Sequence, residues 1–384
     1  MTEISRTLGG DRQAAPAIRW GVIGTANIAA KAFLPALAAA GGRAVVAGSR
    51  SADRAAEWAK SNGVERGGSY TDVVTAGDVD AVYVALPNDQ HATWAAAACA
   101  AGKAVLCEKP LTLDEVGAAD LVATTGPDAL LWESFVFPFH PQTALLRELI
   151  GGGRIGTPRE ICSEFHFTVE SPDNIRLRPE HGGGALYDVG CYPVRLARLL
   201  YDAEPRAAVG AMGYGTAEVD LDVAAVVDFS GGAQPEPGFG GGEHPHRVSG
   251  GAQPEPGFGG GGRGDSERRL VLSAGMRRPF STFTRIVGTE AELRVTNPFH
   301  PEPTDTVQLW VRGRCEQTWG AAEGTAFQHA IEHIHGVLRG EHRPRHRAAD
   351  DSVPQARALD LIRAATADAA AAQATRAQTA TGQR

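Results

Sequence analysis

Residues 104–110 read A-V-L-C-E-K-P. An apolar run, Ala104 to Cys107, stops abruptly at an acid, a base and a proline. A cation at the end of a buried strand is expensive unless something nearby uses it. Lys109 therefore either surfaces into water or heads a functional site, and the flanking chain decides between the two. Upstream, 18–24 reads as a buried strand entering a turn, 43–48 as a second strand and 81–86 as a third; downstream, 130–133 is one more. Helical stretches separate them. One is alanine-rich and interrupted at Pro35, which must kink it or open a new segment. Another spans 52–62 behind the capping hydroxyl of Ser51, and a third runs to Ala101 and closes on Gly102. Thr112-Leu113-Asp114-Glu115 reads as a capping box for a fourth. Strand and helix alternating from 18 to about 135 predict an α/β fold with a doubly wound parallel sheet.

In such sheets ligands sit beyond the carboxyl ends of the strands. Gly24, Ser49, Leu86-Pro87 and Glu108-Lys109-Pro110 all fall on that edge. The turn Gly24-Thr25-Ala26-Asn27-Ile28-Ala29 matches a dinucleotide fingerprint in part, with alanine at the second and third glycine positions. Small residues there still let a pyrophosphate approach the backbone at a helix N-terminus. Ser49 and Arg50 lie where an NAD-binding chain carries an acid for the ribose 2′-hydroxyl. A hydroxyl and a guanidinium suit a 2′-phosphate instead, so NADP(H) is expected over NAD(H). Leu86, Pro87 and Asn88, with His91 behind them and Glu108 and Lys109 beside them, are further candidates for cofactor contact. For His91 a place in the first turn of its helix is the plain alternative.

From His140 the pattern changes. A helix over 141–150 ends at three glycines, and strands then dominate: 158–167, 206–214, 219–229, 269–273, 283–287, 292–295 and 307–311. Alternating apolar and polar residues mark several as one-face-buried antiparallel strands. Helices near 327–338 and 354–372 close the chain. The expected division is a loose tail at 1–16, a nucleotide-binding domain at 17–136, an α+β domain at 137–366 and a tail at 367–384. Within the second domain S-G-G-A-Q-P-E-P-G-F-G-G-G occurs at 230–242 and again at 249–261. Fourteen glycines between 230 and 264 leave no apolar face to bury, so 230–268 reads as a duplicated loop.

Composition narrows the function. Net charge is −8 without a strong basic cluster, which speaks against nucleic acid. Five scattered cysteines include no CxxC pair and no Cys/His cluster at ligand spacing, so reduced thiols, a cytoplasmic location and no metal are expected. The first 16 residues lack the apolar core of a secretion signal, and no apolar run approaches the ~18 residues of a membrane span.

Three stretches taken together, G-V-I-G-T-A-N-I-A (21–29), C-E-K-P (107–110) and G-G-G-A-L-Y-D-V-G-C-Y-P (182–193), resemble the Gfo/Idh/MocA family. The likeness runs from about 18 to 366, apart from the glycine-rich insertion. It implies an N-terminal Rossmann domain and a C-terminal domain whose large open sheet often serves oligomerisation, hence a homodimer or homotetramer. It also implies Lys109, Asp188 and Tyr192 as the catalytic group. Tyrosine at 192, where inositol dehydrogenase-like members have histidine, resembles the branch with glucose–fructose oxidoreductase, dimeric dihydrodiol dehydrogenase, NADP-dependent D-xylose dehydrogenase and sugar 3-ketoreductases. The expected activity is hydride transfer between NADP(H) and a secondary alcohol or ketone of a carbohydrate-like substrate. A tyrosine of pKa about 10 is a proton donor at neutral pH, and a nearby cation helps it in the reverse direction. His140 and Arg178, with Arg176 beside the latter, are candidates for the substrate cleft. A non-catalytic nucleotide sensor, a sugar–sugar oxidoreductase with tightly held cofactor, and NAD-dependent glycoside hydrolysis are the rival expectations.

Overall fold

The computed structural model describes residues 16–216, 218–231 and 267–381. The expected tail before residue 16 and the repeats within 232–266 lie outside the described residues. Six parallel strands form the first sheet: β1 (Arg19–Ile23), β2 (Arg43–Gly48), β3 (Arg66–Gly68), β4 (Ala81–Val84), β5 (Ala104–Cys107) and β6 (Leu131–Glu133). Their order is β3-β2-β1-β4-β5-β6, so the direction of winding reverses between β1 and β4. β4 and β5 are buried at every residue, as strands covered on both faces must be.

The helices follow from local signals. Pro35 does open a new segment: a π-helical turn at Ala29–Phe33 gives way to α1 (Leu34–Ala39), with the proline in its first turn. Ser51 caps α2 (Ala52–Ser61), and Ser69 with Asp72 forms a capping box on α3 (Tyr70–Thr75). α4 (His91–Ala100) and α5 (Glu115–Thr125) follow. The cap of α5 differs from the expected box. Asp114 is the N-cap and accepts from the Gly117 amide at 2.7 Å, while the Thr112 hydroxyl donates to the Asp114 carbonyl.

α6 (Pro141–Gly151) and α7 (Cys191–Tyr201) pack beneath a second sheet of eight strands. These are β7 (Pro158–Thr168), β8 (Ala207–Tyr214), β9 (Asp220–Asp228), β10 (Arg269–Gly275), β11 (Arg277–Gly288), β12 (Glu292–Val295), β13 (Thr306–Val311) and β14 (Arg314–Gly320). Their order is β14-β13-β12-β11-β7-β10-β9-β8, antiparallel except for β7 against β10. The chain then returns to the first domain. α8 (Ala326–Leu338) lays Phe327, Ala330, Ile331 and Ile334 on the parallel sheet, in one core with Trp20, Phe33 and Tyr83. α9 (Ala348–Thr381) spans both domains, packing on α5, α7 and β8. It begins before the expected 354, and the tail expected from 367 is helical as far as Thr381. Among the described residues no helix is long and apolar enough to cross a membrane. All five cysteines are free thiols.

Candidate active site

The reversal between β1 and β4 leaves a crevice beyond the strand ends, the usual ligand position in an open α/β sheet. The second domain covers it, and a cavity of about 670 Å³ lies between the two. From the first domain it is lined by Ala26, Asn27 and Ile28 after β1, Leu86 and Asn88 after β4, Glu108 and Lys109 after β5, and Ser134 after β6. Phe165, Phe167, Arg176, Asp188, Tyr192, Phe280 and His300 line it from the second.

Lys109 is where the domains meet. Its side chain is 10% exposed, and Nζ donates to the Asp188 carbonyl at 2.5 Å and to Asp188 Oδ1 at 3.2 Å. Nζ also lies 5.1 Å from the centre of the Tyr192 ring. Arg176 donates through Nε to Asp188 Oδ2 at 2.7 Å, so one carboxylate is shared by two cations. Burial opposes the charge on each partner, yet the pairing wins. Asp188 is held below the usual carboxylate range and Lys109 above the usual lysine value. Tyr192 is pushed up by burial against the pull of Lys109, so it is a neutral phenol at neutral pH. His300, exposed at the cavity edge, faces the Tyr192 ring with 5.4 Å between ring centres. The Lys109–Pro110 peptide is cis.

The cofactor side has the shape a dinucleotide needs. Gly24 has φ of +103°, and a Cβ there would lie 2.2 Å from the Ala85 carbonyl oxygen, so only glycine fits this turn. Ala26, Asn27 and Ile28 present the start of the following helix to the cavity. Among the described residues the buried Ser134 hydroxyl has no hydrogen-bond partner, as expected of a group that meets a ligand. Gly24, Thr25, Pro87, Ser49 and Arg50 stand on the same edge without lining the cavity. Ser49 is buried where β2 ends, and Arg50 beside it is exposed.

Three expectations need correction. His91 lines the cavity, but both ring nitrogens face protein carbonyls, Pro110 at 2.7 Å and Leu86 at 2.8 Å. Neither is left for a cofactor; the ring ties the end of β4 to the loop after β5. Burial lowers its pKa against the pull of those carbonyls. His140 is buried away from the cavity, where Nδ1 accepts from the Gln142 amide at 3.1 Å and so caps α6. Arg178 is exposed and paired with Asp173 at 3.2 Å, whereas Arg176 enters the site. Ser134, Phe165, Phe167, Phe280 and His300 were not anticipated. Strand alternation carried one signal, since Phe165 and Phe167 are two apart and share a face of β7.

Comparison with known proteins agrees with this architecture. Residues 18–126 match the model of the Gfo/Idh/MocA oxidoreductase family, NAD-binding Rossmann fold, and residues 143–235 match a Gfo/Idh/MocA C-terminal domain. An uncharacterized oxidoreductase of Rhizobium meliloti is 31% identical over 310 residues, covering 80% of this chain and 82% of that protein. A dTDP-3,4-didehydro-2,6-dideoxy-α-D-glucose 3-reductase of Actinomadura kijaniata is 42% identical over 189 residues. That match covers 49% of this chain and 57% of the relative's length. The crystal structure of a 3-ketoreductase from Actinomadura kijaniata, in complex with NADP and TDP-benzene, superposes with a TM-score of 0.73 at 29% identity, covering 91% of this chain and 98% of that one. With both domains matched and the order of elements shared, the chain belongs to the Gfo/Idh/MocA family of oxidoreductases.

Proposed function

We propose that this protein is an NADP(H)-dependent oxidoreductase that reduces a ketone on a sugar or sugar derivative and, in reverse, oxidises the secondary alcohol. The observation that carries this reading is the convergence of Lys109 from the first domain with Asp188 and Tyr192 from the second on one cavity. A nicotinamide cofactor, when bound, supplies the hydride; Ala26, Asn27, Ile28, Leu86 and Asn88 would hold it along the strand edge. Tyr192, neutral and beside the cavity, donates the proton to the carbonyl oxygen as that oxygen gains charge. Lys109 stabilises the phenolate left behind, and Asp188 keeps the ammonium in place. Burial keeps the phenol protonated, which is the state that reduction of a carbonyl starts from. Phe165, Phe167 and Phe280, with the Arg176 guanidinium 5.7 Å from the centre of the Phe167 ring and Asp188 beyond it, give the substrate side both apolar and polar surface, which suits a sugar ring.

The preference for the 2′-phosphate rests on Ser49 and the exposed Arg50 at the end of β2, where no acid stands. For assembly, we infer self-association through the outer face of the eight-stranded sheet. There Val209, 67% exposed, lies in register with Val226, 40% exposed. Light scattering of the purified protein tests it, and a monomer at all concentrations rejects it.

The deciding experiment is NADPH oxidation, followed by absorbance, against keto-sugars, aldoses and dihydrodiols with wild type and K109A. The expected result is turnover with a keto-sugar that is nearly abolished in K109A, while NADPH binding by fluorescence titration is kept. Full activity in K109A overturns the assignment.

A further inference from the structure

The turn that carries Asp188 is held from behind by a carboxylate that the mechanism above does not use. Leu186–Gly190 form one π-helical turn that runs directly into α7. A helix start leaves backbone N–H groups without partners inside the helix, and the residue at the cap position, Ala185, has no side chain to offer them. Asp220, the first residue of β9, meets that need from across the second domain. Its Oδ2 accepts from the Leu186 amide at 2.7 Å, and the Ala185 amide also bonds to the carboxylate. Gly184 makes room for it: φ is +125°, and a Cβ there would lie 2.1 Å from Asp220 Oδ1. The last glycine of G-G-G is thus explained by the close approach of a carboxylate to backbone.

The other end of the turn carries a matching feature. Pro193 has no N–H to return to the Asp188 carbonyl at the five-residue spacing of a π-turn, or to Val189 at the four-residue spacing of an α-helix. The Asp188 carbonyl instead accepts from Lys109 Nζ at 2.5 Å. Lys109 is therefore fastened to the backbone of a turn whose start is fixed by Asp220.

We propose that Asp220 is a positioning residue that sets Lys109, Asp188 and Tyr192 relative to one another. This rests on the reading of those three as the catalytic group. The test compares D220A and D220N with wild type. A shift of about 1 Å at a reacting group costs on the order of a hundredfold in rate, so kcat in D220A is expected to fall about tenfold to a hundredfold. The substrate KM and the NADPH Kd should stay within about twofold, because the cofactor is held by the other domain. D220N keeps one carbonyl oxygen as acceptor and should recover part of the loss. I286A, in the core of β11 away from the cavity, controls for stability: a similar drop in Tm with unchanged kcat is expected.

A second readout needs no substrate. Acetylation of Lys109 by acetic anhydride, measured by peptide mass spectrometry against Lys103, should be several-fold faster in D220A. Unchanged labelling, or a kcat loss in D220A no larger than in I286A, overturns the proposal. If D220A does not fold, the same labelling ratio in D220N decides. If wild type transfers hydride to no carbonyl tested, the functional reading fails, while labelling still decides the role of Asp220.

Discussion

Replacing Asp188 with asparagine removes one charge and almost no volume, and the structure fixes what that should cost. The carboxylate lies 3.2 Å from Lys109 Nζ and 2.7 Å from Arg176 Nε, with side-chain exposures of 14% for Asp188, 10% for Lys109 and 41% for Arg176. At an effective dielectric of about 20, unit charges 3.2 Å apart attract by roughly 5 kcal/mol. Desolvation of both groups offsets part of this, and removing one partner of a buried pair costs about 3–5 kcal/mol. Arg176 is open enough to water that its share is at most about 1 kcal/mol. Lys109 keeps its bond to the Asp188 carbonyl, which places the expected loss near the low end, about 3 kcal/mol. Urea unfolding with linear extrapolation measures it, with the slope unchanged. The pH dependence is a second signature. In wild type the Lys109 pKa is raised in the folded state, so its contribution is complete below the ordinary lysine value and fades only as pH rises through the raised one. Without Asp188 the strongest influence holding that pKa up is lost, and burial pulls the folded-state value down against the weaker pull of its remaining neighbours. The deficit of D188N should therefore be largest near neutral pH and shrink as pH climbs toward about 10, because the variant sheds its unpaired buried proton while wild type does not change there. A loss under about 1 kcal/mol that does not change with pH refutes the reasoning.

Three further outcomes follow from the same geometry. Tyr192→Phe should lower kcat by about a hundredfold or more with KM little changed, because only a proton donated in the transition state is lost; steady-state kinetics checks it. Arg176→Ala should weaken both stability and turnover, whereas Arg178→Ala, on the surface with Asp173, should stay within about 0.5 kcal/mol in unfolding and leave kcat unchanged. Ser134→Ala should raise the NADPH or substrate dissociation constant by roughly three- to tenfold if its free hydroxyl meets a ligand, and isothermal titration of each ligand in turn identifies which.

Five strands of the parallel sheet were legible because they are short apolar runs closed by turn residues, and because one edge collects every special turn; β3 (R-G-G), an edge strand with no apolar run, was not. The second sheet was legible in most of its strands but not in its last. β14 (R-C-E-Q-T-W-G) is polar at nearly every position, since it is an edge strand exposed almost throughout. α8 was placed correctly along the chain, but its partner was hidden. Its apolar stripe fits any sheet, and only the folded chain shows that it covers the parallel one. The capping box at 112–115 failed for a smaller reason. Two hydroxyl or carboxylate residues two apart compete for one helix start, and Asp114, the stronger acceptor, takes it.

The site was legible where a residue's role is local. Lys109 stands out at the end of its strand, whereas Asp188 and Tyr192 were reached only through the resemblance carried by G-G-G-A-L-Y-D-V-G-C-Y-P. His140 and Arg178 were misplaced because both choices rested on chain position alone. A histidine just before a helix-starting proline is as well placed to cap that helix as to line a cleft, and here Nδ1 takes the Gln142 amide. Arg176 and Arg178 are two apart in a loop of short 3-10 turns, so their side chains diverge, and only one meets Asp188. Asp220 lay further out of reach. Its carboxylate acts 34 residues from the amide it caps, across a sheet register that no local pattern encodes. The one trace it leaves in the sequence is negative, a glycine at 184 where a side chain would collide with it. Read from the glycine inward, the third G of G-G-G already implied that something approaches the backbone at the root of the Asp188 turn.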